Sequence, residues 1–356
     1  MCNGIINCVL ILLLHFHVIK TFGLPETIDE IVIELSAVDD TGSVTERFPN
    51  LDYVDKLTIG QRQFYKFKLK DNNGGHSPSK HAAKDTTIRA LQTDSTNGNI
   101  YPSMNVHKAW EAGYTGSDVV IAIVDDGIQV NHPDLKNNVD TVNDYDYISF
   151  DKNPYPSSSS DSHGTNIAGL IAAERDNGKC VVGVAYNVSL IGVRLIGDYE
   201  ITDFEQAQAL THYNSDVDIY TCSWGPEELY DFESMDFLTS LAIANNAKKG
   251  RSGKGIIYTW SAGNGGPNDN CNADGYVNSI YTIGVTALGI GKEADYAEVC
   301  AAALATVYGG TVDSYLMTTT TLSRCTDDGI EGTSFSAPIV AGIIALALHA
   351  KYESKS

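Results

Sequence analysis

The sequence predicts an α/β protein built on a mostly parallel sheet, preceded by a small α+β unit. From about residue 105, continuous apolar runs of strand length alternate with stretches of helical periodicity. Runs that are apolar on both faces are typical of a parallel sheet covered on both sides by helices. Residues 24–70 instead alternate in short apolar runs, which is typical of the strands of a small α+β unit.

The predicted strands of the parallel sheet are separated by predicted helices. The strands are predicted at 119–124, 189–195, 218–222, 256–260 and 282–287. The helices are predicted at 164–175, 203–212 and 234–248, with a last apolar helix at 338–350. Parallel sheets bind their ligands at the carboxyl ends of the strands, so we expect the functional side chains to follow these strands.

The N-terminal part of the chain divides into two segments. The apolar run at 5–19 is shorter than the roughly 20 residues that a membrane span needs, so 1–23 is interpreted as a signal peptide, with an uncleaved anchor as the alternative. Residues 24–84 then contain predicted strands at 31–35 and 64–69 and a polar linker, a pattern that fits a propeptide or an ordinary small domain. The main domain is predicted at 85–356.

The charge of the chain narrows the range of partners. The 356 residues include 24 Lys and Arg and 45 Asp and Glu, a formal net charge of −21. Such a chain is a poor candidate for binding nucleic acid or anionic membranes, and it attracts basic substrates and metal cations. The 53 residues from 195 to 247 contain eleven carboxylates and no Lys or Arg. This stretch is either a solvated acidic face or part of a site for a basic ligand.

Three motifs lie at predicted element boundaries. Asp125 ends a buried strand, His163 opens an apolar helix, and Ser334 precedes the last helix. Taken singly, each motif is typical of a turn or a helix cap. Together, in the order Asp, His, Ser, they predict a catalytic triad in which Ser334 is the nucleophile, His163 the base and Asp125 the group that orients the base.

A developing oxyanion requires hydrogen-bond donors near the nucleophile. Ser334 lies at a predicted helix start, where free backbone N–H groups are available. Asn264 follows a buried strand within the glycine-rich turn Gly263-Asn264-Gly265, so its side-chain amide is the predicted second donor.

With these motifs the sequence resembles the kexin- and furin-like proprotein convertases of the subtilisin superfamily, over roughly 105–352 and more weakly over 24–70. The motifs that carry the resemblance are Asp125-Asp126-Gly127, Asn131-His132-Pro133-Asp134-Leu135, His163-Gly164-Thr165, Cys222-Ser223-Trp224-Gly225-Pro226-Glu227, Cys271-Asn272-Ala273-Asp274-Gly275-Tyr276 and Gly332-Thr333-Ser334. The resemblance implies a subtilisin-like three-layer fold and a calcium-dependent serine endopeptidase. It also implies an acyl-enzyme mechanism, cleavage of secretory precursors after paired basic residues, and residence in the secretory pathway lumen or secretion.

The resemblance also implies which residues contact substrate. Asp274 and Glu228 would face the basic residue before the cut, and Asp126 and Asp161 the residue preceding it. Acidic side chains are natural partners for a guanidinium or an ammonium group. The complete implied substrate-binding set is Asp126, Asp161, Ser223, Trp224, Gly225, Glu227, Glu228, Glu233 and Asp274.

Calcium and disulfides are implied in the same way. The ligands of one implied Ca2+ site are Glu228, Asp269 and Glu298. A second implied site includes Asp134 and Asn177, and the sequence leaves open whether this second site is complete. The implied disulfides are Cys180–Cys325 and Cys271–Cys300, which leaves Cys222 unpaired on a buried strand.

Two features depart from the family pattern. The sequence ends at Ser356, so we expect no C-terminal P domain in this chain, and no paired-basic site separates the propeptide segment from the core. The alternative function is therefore a truncated, catalytically impaired convertase isoform that acts as a binding or regulatory protein. The expected partners are basic peptide substrates and the chain's own propeptide as an inhibitor, and we expect a monomer with no membrane span after signal cleavage.

Overall fold

The computed structural model describes residues 17–22, 30–35, 51–60, 62–69, 104–226, 232–290, 292–326 and 329–353. These residues form two compact units. The first comprises the described residues up to 81 together with 202–211 and 237–245. The second comprises the described residues of 82–201, 212–236 and 246–356.

The strands and helices of the described residues are named here in chain order. The strands are β1 His17–Phe22, β2 Glu30–Leu35, β3 Leu51–Ile59, β4 Arg62–Leu69, β5 Val120–Asp125, β6 Tyr145–Asp146, β7 Ser189–Arg194, β8 Ile219–Cys222, β9 Ile257–Ser261, β10 Ile283–Leu288, β11 Ala305–Tyr308, β12 Thr319–Thr320 and β13 Arg324–Cys325. The helices are α1 Val106–Glu111, α2 His163–Ala172, α3 Asp203–Ala209, α4 Phe237–Gly253 and α5 Thr333–Glu353.

The first unit contains an antiparallel sheet of order β1-β2-β4-β3. Strand β1 falls within the segment interpreted as a signal peptide, and it pairs with β2. Apolar side chains of β3 and β4, among them Leu57 and Phe64, form a small core with Phe204 of α3 and Leu238 of α4. The buried Lys66 ammonium lies 2.8 Å from the Glu205 carboxylate, so this buried charge has a partner.

The second unit is organised around a seven-stranded parallel sheet of order β11-β10-β9-β8-β5-β7-β6. Helix α5 packs against β8 to β11, and α2 packs against β5 and against α5. The main core includes Ile121 and Ile123 of β5, Leu170 of α2 and Ile339 of α5, all of which are fully buried. This arrangement confirms the predicted α/β class, and it places the end of β5 beside the start of α2.

All five predicted strands of the parallel sheet are present, displaced by at most one residue at either end. The last helix was placed too late by the sequence, because α5 begins at Thr333 and contains Pro338 within it. Proline lacks an N–H and usually breaks a helix, which is why its position indicated a start at 338. The observed start puts Ser334 within the first turn of α5.

Helix α5 is also the one helix among the described residues that is long and apolar enough to cross a membrane by composition, over Thr333–Tyr352. Of its most apolar window, 67% is buried inside the protein. Burial of this extent is typical of a core helix.

Candidate active site

Asp125 and His163 meet where β5 ends and α2 begins. His163 Nδ1 lies 2.8 Å from Asp125 Oδ1, and the Asp126 backbone N–H donates to the same oxygen at 2.8 Å. The other carboxylate oxygen of Asp125 is buried and has no hydrogen-bond partner among the described residues. A buried carboxylate bound to one imidazole nitrogen fixes the ring orientation and leaves the other nitrogen to act as the base.

The electrostatic environment of His163 favours its protonated form. Burial alone lowers the pKa of the imidazole, but the charge of Asp125, its hydrogen bond, and the charge of Asp126 outweigh burial and raise the pKa above its ordinary value. The ring is 34% exposed, so it remains accessible to a substrate. The charge of Asp125 thus favours the imidazolium form of His163, as the predicted role of this carboxylate requires.

Ser334 forms a reciprocal pair with Ser223, which follows β8. The Ser223 hydroxyl donates to the Ser334 carbonyl at 2.8 Å, and the Ser334 hydroxyl donates to the Ser223 carbonyl at 3.4 Å. In the described part of the chain, no hydrogen bond joins Ser334 to His163. The His163 ring is nevertheless next to α5, with its centroid 5.4 Å from that of Phe335. The predicted transfer of a proton from Ser334 to His163 would require the Ser334 hydroxyl to turn away from Ser223, and catalytic hydrogen bonds often tighten only in the substrate complex.

Asn264 is oriented by the residue that precedes Ser334. Its side-chain oxygen accepts from the Thr333 backbone N–H at 2.8 Å and from the Thr333 hydroxyl at 3.1 Å. Because two donors fix the oxygen end of the amide, the orientation of its NH₂ group is fixed as well. Thr333 is fully buried and also bonds to the Gly263 backbone, so this network is rigid.

A cavity of about 260 Å³ extends from Ser334 and Asn264. The other lining residues include four of the predicted substrate-binding residues and two of the predicted calcium ligands. Those six residues are Ser223, Trp224, Gly225, Asp274, Asp269 and Glu298. The structure thus brings together the predicted nucleophile, the predicted oxyanion donor and the predicted acidic specificity residue.

Asp274 is the described carboxylate expected to bind the basic residue before the cut. Its Oδ1 accepts from the backbone N–H groups of Tyr276 at 2.6 Å and Val277 at 3.4 Å. Burial raises its pKa to about 6, with a further contribution from Glu233, although these backbone donors oppose the shift. A Cβ atom at Gly225 would lie 3.3 Å from Asp274 Oδ2, so this glycine leaves space beside the carboxylate.

The other predicted substrate residues have different surroundings. The carboxylate of Asp126 accepts two backbone N–H groups of α2, and that of Asp161 accepts from Ser158 and Ser160 in its own loop. Glu233 is exposed, and its backbone pairs with that of residues 273 and 275 beside Asp274. Glu227 and Glu228 lie outside the described residues.

Two of the three predicted ligands of the first calcium site lie against the same loop. A Cβ atom at Gly263 would lie 1.8 Å from Glu298 Oε1, and one at Gly265 would lie 2.3 Å from Asp269 Oδ2. The third predicted ligand, Glu228, is outside the described residues, and the described residues alone contain no group of three His, Cys, Asp or Glu side chains that could hold a metal. Two carboxylates against one glycine loop still fit a hard cation.

The two predicted ligands of the second calcium site are in direct contact. Asn177 Nδ2 donates to Asp134 Oδ1 at 2.7 Å, and the Val181 backbone N–H donates to Asp134 Oδ2 at 3.2 Å. Asp134 is fully buried, and burial raises its pKa above the ordinary value. The 177–181 loop therefore donates hydrogen bonds to both oxygens of the buried Asp134 carboxylate.

Both predicted disulfides are present. Cys180 is bonded to Cys325, and Cys271 is bonded to Cys300. Cys222 is free and buried, and burial raises its pKa well above the ordinary value, so it remains a neutral thiol. The Cys271–Cys300 bond lies beside the loop that carries Asp269 and Asp274.

Several supporting residues were missed by the sequence reasoning. Thr333 was treated only as part of a motif, although it orients Asn264. Trp260 and Tyr276 were not predicted as site residues. They stack with centroids 4.6 Å apart, and Trp224, a predicted substrate residue, packs edge-on against both rings. Trp224 directly follows Ser223 in the sequence, and Tyr276 lies two positions after Asp274. Their closeness to predicted site residues was an available signal for this cluster.

Comparison with known proteins identifies the family. The model of the subtilase family, Peptidase S8, matches residues 116–356. Proprotein convertase subtilisin/kexin type 6 of Rattus norvegicus is 45% identical over 264 residues, which cover 71% of this chain and 28% of that protein. Furin-1 of Xenopus laevis is 38% identical over 317 residues, covering 83% of this chain and 40% of that protein. The matched parts are thus less than half of these relatives.

Solved structures agree on the fold. A serine protease of Aeromonas sobria, in complex with its chaperone, matches 70% of this chain and 50% of its own, with a TM-score of 0.63 at 24% identity. A protease of Pseudoalteromonas arctica matches 70% of this chain and 83% of its own, with a TM-score of 0.59 at 24% identity. With the family match and the convertase relatives, the chain belongs to the subtilase family as a kexin- and furin-like member.

Proposed function

We propose that the protein is a serine endopeptidase that cleaves secretory precursors after paired basic residues, Lys-Arg or Arg-Arg. The observation that carries the proposal is the cavity shared by Ser334, Asn264 and Asp274. Ser334 as the proposed nucleophile, Asn264 as the proposed oxyanion donor and the half-buried carboxylate of Asp274 line one space. A carboxylate in such a pocket favours a guanidinium or ammonium side chain on the residue before the cut.

The proposed reaction proceeds through an acyl-enzyme. His163 takes the Ser334 proton as the Ser334 oxygen attacks the scissile carbonyl, and Asp125 stabilises the imidazolium. The Ser334 backbone N–H and the Asn264 amide stabilise the oxyanion. His163 then donates its proton to the leaving amine as the peptide bond breaks. A water molecule, deprotonated by His163, hydrolyses the ester and regenerates the Ser334 hydroxyl.

Calcium is part of the proposal as a structural cation. Asp269 and Glu298, with Glu228, would hold one ion, and Asp134 and Asn177 would contribute to another. A bound calcium ion supplies positive charge that neutralises clustered carboxylates and rigidifies the loops carrying them. The Gly263–Gly265 loop contacts Asp269 and Glu298 and also contains Asn264. A bound ion that rigidifies this loop would therefore also help to position the proposed oxyanion donor.

The remaining parts of the proposal concern the cellular setting. We infer that the enzyme acts in the secretory pathway lumen or after secretion. Two disulfides support this setting, since such bonds persist in oxidising compartments. Residues 24–84 would act as a propeptide that inhibits the enzyme until it is cut.

Hydrolysis of fluorogenic peptides by the full chain tests the proposed function. We expect cleavage of a peptide ending in Lys-Arg, little cleavage of a matched peptide ending in Lys-citrulline, and loss of activity with Ser334→Ala. A calcium chelator should reduce the rate, and added calcium should restore it. Folded protein with no activity, or Ser334→Ala with unchanged activity, would contradict the proposal and favour a binding role.

A further inference from the structure

The carboxylate of Asp126 is engaged by the start of α2. The His163 backbone N–H donates to Asp126 Oδ2 at 2.9 Å, and the Gly164 N–H donates to Asp126 Oδ1 at 2.7 Å. These are the first two N–H groups of the helix, which no carbonyl within the helix can satisfy. A carboxylate at this position also interacts favourably with the helix dipole.

The turn after β5 and the start of α2 approach each other closely at Gly164 and Gly127. A Cβ atom at Gly164 would lie 2.3 Å from the Gly127 carbonyl oxygen and 3.1 Å from Asp126 Oδ1. Gly127 has a φ of +120°, which disfavours other residues, and a Cβ atom there would lie 2.6 Å from the Pro154 carbonyl. A residue larger than glycine at position 164 would therefore push the start of α2 away from the turn after β5.

The same turn is held from its other side by Arg194 of β7. Its Nε donates to the Asp126 carbonyl at 3.1 Å, and its guanidinium also binds the Asp146 carboxylate at 2.7 Å and the Ser157 hydroxyl. Arg194 is 4% exposed, so these contacts are removed from solvent. Asp126 thus links a rigid buried network to the helix that begins with the catalytic base.

We propose that Asp126 is a positioning residue, whose carboxylate fixes the start of α2 so that His163 meets Asp125. This role is separate from the substrate contact that the family resemblance implies for Asp126, and it rests on the proposed function because it concerns the same triad. If Asp126 only bound substrate, its loss would affect only peptides with a basic residue at the preceding position. As a positioning residue it affects turnover of every substrate.

The negative charge of Asp126 should affect a measurable quantity, the pKa of His163. The charged groups that face His163 are Asp125 and Asp126, and Arg194 contacts the main chain of Asp126. Both carboxylates raise the pKa of His163, whereas burial lowers it. The pKa of Asp126 is itself raised to about 7 by burial and by Asp125, against the opposing effect of its backbone donors. Removing the Asp126 charge should therefore lower the His163 pKa, and the neutral base should persist to lower pH.

The test compares Asp126→Asn in the full chain on two peptides that differ only at the preceding residue, Lys-Arg and Val-Arg. Asparagine can accept only one of the two backbone N–H groups and directs its own NH₂ towards the other. We expect kcat to fall about 10- to 100-fold on both peptides, the size expected for a misplaced base, with KM for Val-Arg unchanged. The acid limb of the pH–rate profile should move to lower pH. Asp216→Asn, on an exposed surface, is the matched control and should behave as wild type.

A loss confined to Lys-Arg, with kcat on Val-Arg and the acid limb both unchanged, would overturn the positioning role. Gly164→Ala provides a second variant that carries no charge, since its Cβ pushes α2 away from Gly127. It should lower kcat on both peptides while keeping the preference for Lys-Arg. If the wild type cleaves neither peptide, the proposed function fails separately. An NMR titration then still tests the inference, which requires a lower His163 pKa in Asp126→Asn than in wild type.

Discussion

The Ser223 hydroxyl donates to the backbone carbonyl of Ser334 at 2.8 Å. This carbonyl needs an external donor because the residue four positions later is Pro338, which has no N–H. The start of α5 would lack one hydrogen bond at Ser334, and the side chain of Ser223, which follows β8, supplies it. The helix start that presents Ser334 therefore depends on a residue 111 positions earlier in the chain.

Ser223→Ala should destabilise the protein by about 1 kcal/mol, the typical net contribution of one hydrogen bond, and should lower kcat. Pro338→Ala restores an N–H that can bind the Ser334 carbonyl within the helix. The double variant should therefore recover stability relative to Ser223→Ala. Urea unfolding of the three variants measures this. Equal losses in the single and double variants would show that the carbonyl needs no donor.

Thr333→Val should reduce kcat by less than Asn264→Ala does. Valine keeps the backbone N–H that binds Asn264 Oδ1 at 2.8 Å but removes the hydroxyl that binds it at 3.1 Å. Loss of a side-chain oxyanion donor typically costs about 100- to 1000-fold in kcat, which we expect for Asn264→Ala. Steady-state kinetics with KM recorded separately tests the order. If Asn264→Ala alters KM alone, Asn264 binds substrate without stabilising the oxyanion.

Asp274 should make substrate binding depend on pH. The pKa of its carboxyl is raised to about 6 by burial, so its charged form is lost as the pH falls through that value. KM for a peptide ending in arginine should therefore rise below pH 6, while KM for the same peptide ending in citrulline should not. Asp274→Asn should raise KM for the arginine peptide about 100-fold at neutral pH and abolish this pH dependence. If the substitution leaves KM for the arginine peptide unchanged, the arginine side chain does not bind Asp274.

Calcium removal should lower the thermal unfolding temperature of the full chain, and added calcium should raise it in proportion to the logarithm of its concentration. Glu298→Gln removes one carboxylate charge at the Gly263–Gly265 loop and should weaken this response. Glu293→Gln, an exposed residue five positions earlier, is the matched control and should respond as wild type. Differential scanning calorimetry across calcium concentrations measures the effect. Identical responses of both variants and wild type would exclude Glu298 as a ligand.

The sequence was sufficient to predict five of the seven strands of the parallel sheet and to propose Asp125, His163 and Ser334 as a triad. The five strands are continuous apolar runs, and the predicted triad residues lie at the end of β5, at the start of α2 and in the first turn of α5, so local patterns carry the information. The contacts of Ser223 with Ser334 and of Asp126 with α2 could not be predicted. They join residues far apart in the chain, and they depend on how closely two backbones approach.

The acidic stretch at 195–247 was only partly understood from its composition. Asp203 accepts from the backbone N–H groups of Leu238 and Thr239, and Glu205 pairs with Lys66. Asp218 pairs with Arg251 at 2.5 Å. These three buried carboxylates have structural partners, so a dense acidic composition does not by itself locate a substrate cleft. Identifying which carboxylates serve the fold requires the contacts.

The triad assignment is tested most directly by covalent labelling with a peptidyl phosphonate ending in Lys-Arg, followed by mass spectrometry. We expect one adduct on Ser334 in the full chain, competition by a Lys-Arg peptide, and loss of labelling in His163→Ala and Ser334→Ala. A folded protein that is not labelled, or is labelled equally well in His163→Ala, would contradict the assignment of Asp125, His163 and Ser334 as a working catalytic triad.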